Sequence, residues 1–128
     1  MTGLILTCDD EIHINKLVEL TLRKDNYQVV SCTSGEAAWQ FIQNQVPDLL
    51  ICDCSMPGLP GLELCRRIRL DEQASHLPIM LLTARGFQFS EEKLERDLHL
   101  NGIIHKPFSP HELRFRVAEV LAQQAAHS

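Results

Sequence analysis

Asp9, Asp10, Asp53, Thr83 and Lys106 are the residues of this chain whose types could act together on a phosphoryl group. Each follows or closes a short apolar run: Gly3 to Cys8 runs into Asp9-Asp10-Glu11, Leu49 to Cys52 into Asp53, Pro78 to Leu82 into Thr83, and Gly102 to His105 into Lys106. Such runs read as buried strands, and the residue at a strand's end meets loops and solvent rather than core. Taken singly, each has a bland explanation: an Asp pair before a helix caps it, a Thr at a strand end packs, a Lys is solvated. Capping and packing alone do not readily gather five such groups on one rim.

The charges give the set a physical reason. Carboxylates about 4 Å apart repel by about 1 kcal/mol per pair in water and by about 4 kcal/mol in a partly screened crevice, so a cluster of acids calls for a cation. With few protein oxygens and an open, wet rim, magnesium fits better than calcium, which takes six to eight oxygens in a dedicated loop. A carboxylate beside magnesium can attack phosphorus and form an acyl phosphate. Asp53, fixed by its strand and followed by the Pro57-Gly58 turn, is the candidate nucleophile. Lys106 would offset charge on the phosphoryl oxygens, and the Thr83 hydroxyl could donate to one of them.

The elements that position these residues alternate along the chain. After the first strand, Ile14, Leu17, Val18 and Thr21 recur at helical spacing. Tyr27 to Cys32 is a second strand, and Thr33 offers an N-cap with Glu36 three residues on, opening a helix with Ala38, Phe41 and Ile42 inward before Pro47. Beyond Pro57-Gly-Leu-Pro-Gly61, a helix carries Leu62, Cys65 and Ile68 on one face and Arg66, Arg67 and Arg69 outward. Ser90 with Glu91 and Glu92 starts a fourth helix with a thin apolar stripe, and Ser109-Pro110-His111-Glu112 is a capping box for the last, whose inner face is Leu113, Val117, Val120 and Leu121. Five continuous apolar strands alternating with five helices predict a doubly wound α/β fold with a parallel sheet covered on both faces, its ligand crevice at the carboxyl ends of the strands.

At 128 residues the chain is read as one domain over residues 1–124, with fraying from Ala122 and a frayed tail at 125–128. The composition, 45% hydrophobic and 23% charged with a net charge of -5, is that of an ordinary soluble domain and argues against direct nucleic-acid contact. Leu4-Ile-Leu6 is too short for a signal peptide or a membrane span, so a cytoplasmic protein is expected, with no membrane association. The five cysteines, Cys8, Cys32, Cys52, Cys54 and Cys65, show no zinc-like ladder and read as reduced core thiols. Cys52 and Cys54 are expected on opposite faces of their strand, which disfavours a shared metal. The six histidines have no metal spacing. Trp39 reads as flanking core, and Phe87 and Phe89 as core or an exposed docking face.

The pieces Asp9-Asp10-Glu11, Asp53 with Met56-Pro57-Gly58 and Gly61, Leu81-Leu82-Thr83-Ala84, and Lys106-Pro107-Phe108 resemble the receiver domain of two-component response regulators along essentially the whole chain. The resemblance implies a flavodoxin-like sheet of order 2-1-3-4-5 and a phosphoacceptor Asp53 served by a histidine kinase or phosphotransfer protein. It implies Mg2+ held by Asp9, Asp10, Asp53 and the Ser55 backbone carbonyl, with Thr83 and Lys106 reading the phosphoryl group. By the same similarity the chain is a signalling module that assists only its own phosphorylation and dephosphorylation, its output passing to a downstream effector protein or domain. The final helix resembles that of receivers preceding winged-helix DNA-binding domains.

Two departures bear on the readout. Ile103 stands where the family usually carries an aromatic residue three before the lysine, and His99 to His105 replaces the usual Gly-Ala-acid-acid-aromatic pattern. Those acids often serve dimer salt bridges, so any homodimer through the face of helix 4, strand 5 and helix 5 is expected to be weak. Two other readings compete: an interaction module that has lost phosphorylation, and an Asp-nucleophile phosphohydrolase. The latter normally needs a second acid two residues after the nucleophile, where this chain has Ser55.

Overall fold

The computed structural model describes residues 3–84 and 90–126. Five strands and five helices alternate: β1 Leu4–Cys8, α1 Ile12–Arg23, β2 Gln28–Cys32, α2 Gly35–Asn44, β3 Leu49–Asp53, α3 Gly61–Leu70, β4 Ile79–Thr83, α4 Glu91–Leu98, β5 Gly102–His105 and α5 Pro110–Ala126. All pairings are parallel, and the order is β2-β1-β3-β4-β5. This is the doubly wound fold that the apolar runs predict. The register aligns Cys8 with Cys32 and Cys52, Asp53 with Leu82, and Thr83 with His105, so the strand ends form one edge.

Because strand side chains alternate, successive residues enter opposite layers. Ile5, Leu49, Ile51, Met80, Leu82 and Ile104 pack under α1 and α5 against Val18, Leu22, Leu113, Val117 and Val120. Leu6, Cys8, Leu50, Cys52, Ile79, Leu81 and Ile103 pack under α2, α3 and α4 against Ile42, Leu64, Ile68, Leu94 and Leu98. Cys52 and Cys54 share this second layer with Cys8 and Cys65, contrary to the expectation of opposite faces, since residues two apart on a strand point the same way. All five cysteines are free thiols, and burial pushes Cys54 up to about 11 and Cys65 up to about 12. Trp39 packs half-buried against the same layer.

Local expectations are shifted in four places. Ser34, not Thr33, caps α2, its Oγ accepting from the Ala37 N–H at 3.2 Å. Helix α5 stays helical past Ala122 to Ala126, and residues 127–128, like Phe87 and Phe89, lie outside the described residues. Leu64, missed in the inward stripe of α3, is fully buried, while Leu62 is half-buried. Arg69, expected outward, instead turns into the fold: its guanidinium donates to the carbonyls of Leu98, Ser75, Leu77 and His99 at 2.7 to 3.0 Å.

That guanidinium matters because α4 ends on His99 in the left-handed region, at φ 51°. A side chain there costs about 1 kcal/mol, which glycine would avoid. Arg69 holds the carbonyls on either side of this residue and so fixes the end of α4 against α3. We expect Arg69→Ala to lose about 2 kcal/mol of stability and His99→Gly to gain about 0.5 kcal/mol, read as opposite shifts of the urea midpoint.

Candidate functional site

Asp9 emerges at the end of β1 with its side chain fully buried. Its backbone N–H donates to the Cys32 carbonyl at 3.1 Å, and its Oδ1 accepts from the Glu11 N–H at 2.9 Å, an Asx-type turn that starts α1. Asn15, buried one turn into α1, donates through Nδ2 to the carbonyls of Asp9 and Cys32, each at 2.9 Å. One amide thus stitches α1 to the ends of β1 and β2. Asp10 follows and is exposed.

Asp53 is the last residue of β3, paired with Leu82 on β4, and is 7% exposed. The chain then passes through residues 54–60 to α3. Gly61 is required at the start of that helix: a Cβ there would lie 1.9 Å from the Asp53 carbonyl oxygen. Ser55 lies exposed early in this loop. Thr83 closes β4 and Lys106 follows β5, tied to each other by the Lys106 N–H donating to the Thr83 carbonyl at 2.7 Å.

The acids converge. Asp9, Asp10 and Asp53 offer carboxylate oxygens that all lie within 4.8 Å of one another. Lys106 reaches in between them: its Nζ is 2.8 Å from Asp9 Oδ2, 3.5 Å from Asp53 Oδ1 and 3.8 Å from Glu11 Oε2. Burial alone would lower the Lys106 pKa, but the surrounding carboxylates outweigh it and raise it, so the ammonium stays charged. One ammonium does not neutralise this many acids. Asp53 has its pKa pushed up to about 6, first by burial and then by Asp9, with Lys106 opposing.

Two features fit a divalent cation and a phosphoryl group. Hard oxygen donors at this spacing suit magnesium, which binds through one or two carboxylates together with waters and phosphate oxygens. Thr83 Oγ1 is buried with no hydrogen-bond partner among the described residues. A buried hydroxyl without a partner is uncommon and invites an acceptor, which a phosphoryl oxygen would supply.

Asp9, Asp10, Asp53 and Lys106 are therefore brought together at one edge, with Thr83 joined to Lys106 through the backbone. Sequence reasoning passed over the Lys106 contact of Glu11, the stitching by Asn15, and Glu36, whose Oε2 accepts from the Leu59 N–H at 2.9 Å in the loop after Asp53. Asn15 carried one usable signal, a short amide at an otherwise apolar position of α1. Glu36 carried none, because it sits where a first-turn acid serves the helix dipole.

The sequence profile described as "Response regulator receiver domain" matches residues 5–118. The alkaline phosphatase synthesis transcriptional regulatory protein PhoP of Bacillus subtilis (strain 168) is 35% identical over 121 residues, covering 94% of this chain and 49% of that protein. The chain spans about half the length of the curated relatives it matches. Among solved structures, the chemotaxis response regulator CheY4 of Vibrio cholerae aligns with TM-score 0.85 and 27% identity, covering 94% of this chain and 99% of that one. The receiver domain of a sensor histidine kinase from Pseudomonas aeruginosa PAO1, solved with a magnesium ion coordinated in its active site cleft, aligns with TM-score 0.84 and 27% identity, covering 95% and 99%.

The raised Asp53 pKa has a consequence for stability. Its folded value of about 6 exceeds the ordinary 3.8, so the folded state holds this proton longer than the unfolded chain does. Ionising Asp53 therefore costs stability progressively as pH rises between those values, and in full above them. In metal-free solution, Asp53→Asn should be more stable than the parent by about 1–2 kcal/mol at about pH 7, allowing for solvent at the rim. The gap should close below about pH 4, as read by urea denaturation across the pH range.

Proposed function

The chain belongs to the response regulator receiver domain family of two-component systems, and from that premise we propose that it is a magnesium-dependent phosphoacceptor with Asp53 as the nucleophile. The single observation that carries this reading is the convergence of Asp9, Asp10 and Asp53 around Lys106 at the carboxyl edge of the sheet. In the proposed reaction a carboxylate oxygen of Asp53 attacks phosphorus. The P–N bond to a phosphohistidine of a histidine kinase or phosphotransfer protein breaks as the P–O bond forms, and the imidazole leaves with its electron pair and takes up a proton.

Asp9, Asp10, Asp53 and the Ser55 backbone carbonyl would hold the Mg2+. Bound there, the ion supplies charge neutralisation for the carboxylates and for the phosphoryl oxygens. Lys106 offsets the remaining charge, and the Thr83 hydroxyl donates to a phosphoryl oxygen, gaining the partner it lacks within the described residues. The pathway is signalling rather than turnover, as the family's role as a signalling module supports. A phosphohydrolase would need an acid two residues after Asp53, where Ser55 stands.

The readout departs from an aromatic switch. Ile103 is buried, 6% exposed, in the same layer as Leu94 and Leu98 of α4, and it has no polar atom to exchange between burial and solvent. The end of β5 is linked to the start of α4 instead by His105 against Glu91. We take this apolar and hydrogen-bonded contact to α4 as the route by which the state of Thr83, paired with His105 across the sheet, reaches a downstream effector protein or domain. Moving a two-state equilibrium from 1:99 to 99:1 takes about 5.5 kcal/mol, so several phosphoryl contacts must act together. A homodimer through α4, β5 and α5 would be weak, since Asn101 and Gly102 stand where the family's dimer acids would be. No helix among the described residues is long and apolar enough to cross a membrane. From the family's signalling role we place the module in the cytoplasm, and its net charge of -5 argues against direct nucleic-acid contact.

The direct test is incubation with Mg2+ and a small acyl-phosphate or phosphoramidate donor, followed by intact-mass measurement. The parent should gain the mass of one phosphoryl group, with none gained by Asp53→Asn or when a chelator replaces Mg2+. No gain in the parent, or an equal gain in Asp53→Asn, would overturn the phosphoacceptor assignment.

A further inference from the structure

The loop that leaves Asp53, residues 54–60, is fastened along its length. At its start the Cys54 N–H donates to the Leu82 carbonyl at 3.0 Å, and the Met56 sulfur lies 3.6 Å from the Cys8 Sγ beneath it. At its end Gly61 abuts the Asp53 carbonyl. Between these points the loop is held from α2. Glu36 Oε2 accepts from the Leu59 N–H at 2.9 Å, and Gly35 lies so close to the Leu59 carbonyl that a Cβ there would be 2.2 Å from its oxygen.

Gly58 completes the arrangement. It adopts φ +78°, a conformation that favours glycine, and a Cβ on it would sit 2.6 Å from Glu36 Oε2. The carboxylate can therefore rest on the turn only because residue 58 has no side chain. The Pro57-Gly-Leu-Pro-Gly61 run is thus a seat for Glu36 as well as a strand terminator.

We propose that Glu36 is a positioning residue for the acid pocket, its carboxylate fixing the β3–α3 loop and with it the Ser55 backbone beside Asp53. This inference rests on the magnesium reading above. Glu36 is not among the acids that cluster with Asp53. It acts as an acceptor for the Leu59 N–H, holding a loop whose Ser55 carbonyl would contribute an oxygen to the site. Groups that orient ligands in this way typically cost about tenfold or more in metal affinity when removed.

Direct Mg2+ titration by calorimetry on the whole chain tests it, with Glu36→Ala, Glu36→Gln and Asp10→Asn compared to the parent and with metal-free melting curves alongside. Glu36→Ala should bind Mg2+ about tenfold more weakly. Glu36→Gln, which keeps an acceptor oxygen without the charge, should recover most of the parent's affinity, whereas a long-range charge effect would not be recovered. Glu36→Ala binding as tightly as the parent, even with a lowered melting temperature, would reduce Glu36 to a structural residue and overturn the proposal. So would a Glu36→Gln as weak as Glu36→Ala. In both cases the loss of binding in Asp10→Asn would leave the magnesium reading standing. A parent that takes no Mg2+, or an Asp10→Asn that binds as the parent does, would bring down both.

Discussion

Mutual repulsion among Asp9, Asp10 and Asp53, gathered within 4.8 Å at the edge of the sheet, is the constraint on which the rest of this structure turns. Left alone in a partly screened crevice such a cluster costs several kcal/mol, and the fold answers it only in part. Lys106 enters at 2.8 Å from Asp9 and 3.5 Å from Asp53, which leaves more carboxylate than ammonium. Asp53 is held near a pKa of about 6, first by burial and then by the charge of Asp9. On the proposed function, this imbalance is what a cation, and phosphoryl oxygens meeting Lys106 and Thr83, would relieve.

Holding the acids together falls to groups outside the acid cluster itself. The strands beneath are apolar apart from the buried Thr7 and the closing Asp53 and Thr83, so β1, β3 and β4 stay buried while bringing Asp9, Asp53 and Thr83 to one edge. Asn15 ties the turn of Asp9 to the end of β2, and Glu36 seats the loop after Asp53. On the far side of β4, Arg69 fastens the end of α4, where His99 occupies a backbone conformation better suited to glycine. The module therefore has an acid pocket braced by backbone hydrogen bonds and, next to it, a fourth helix docked through Leu94, Leu98 and Ile103.

Much of this was legible in the residues. Strands buried on both faces leave continuous apolar runs, and the groups closing those runs, Asp53, Thr83 and Lys106, mark one edge once the sheet is parallel. Less legible was anything that depends on two elements meeting. Arg69 lies on the outward side of its helix by periodicity, yet its length lets it fold back onto four carbonyls that no local pattern places nearby. Glu36 has the profile of a helix-dipole acid, and its contact with Leu59 depends on the path of a loop 23 residues away. Thr33 and Ser34 both offer a capping hydroxyl, and it is Ser34, in extended backbone at φ -145°, whose Oγ reaches the Ala37 N–H. The error over Cys52 and Cys54 had a different origin, a misapplied strand period rather than a tertiary effect.

Titration of the Asp53 carboxyl carbon by NMR, with and without saturating Mg2+, tests the electrostatic account most directly. Without the ion, the carboxyl should titrate near the raised value of about 6. With it, the midpoint should fall by at least about one unit, because a cation beside the carboxylate favours its charged form. A midpoint near the ordinary 3.8 in the metal-free protein, or one that Mg2+ leaves unmoved, would contradict the claim that an unbalanced acid cluster awaits a cation.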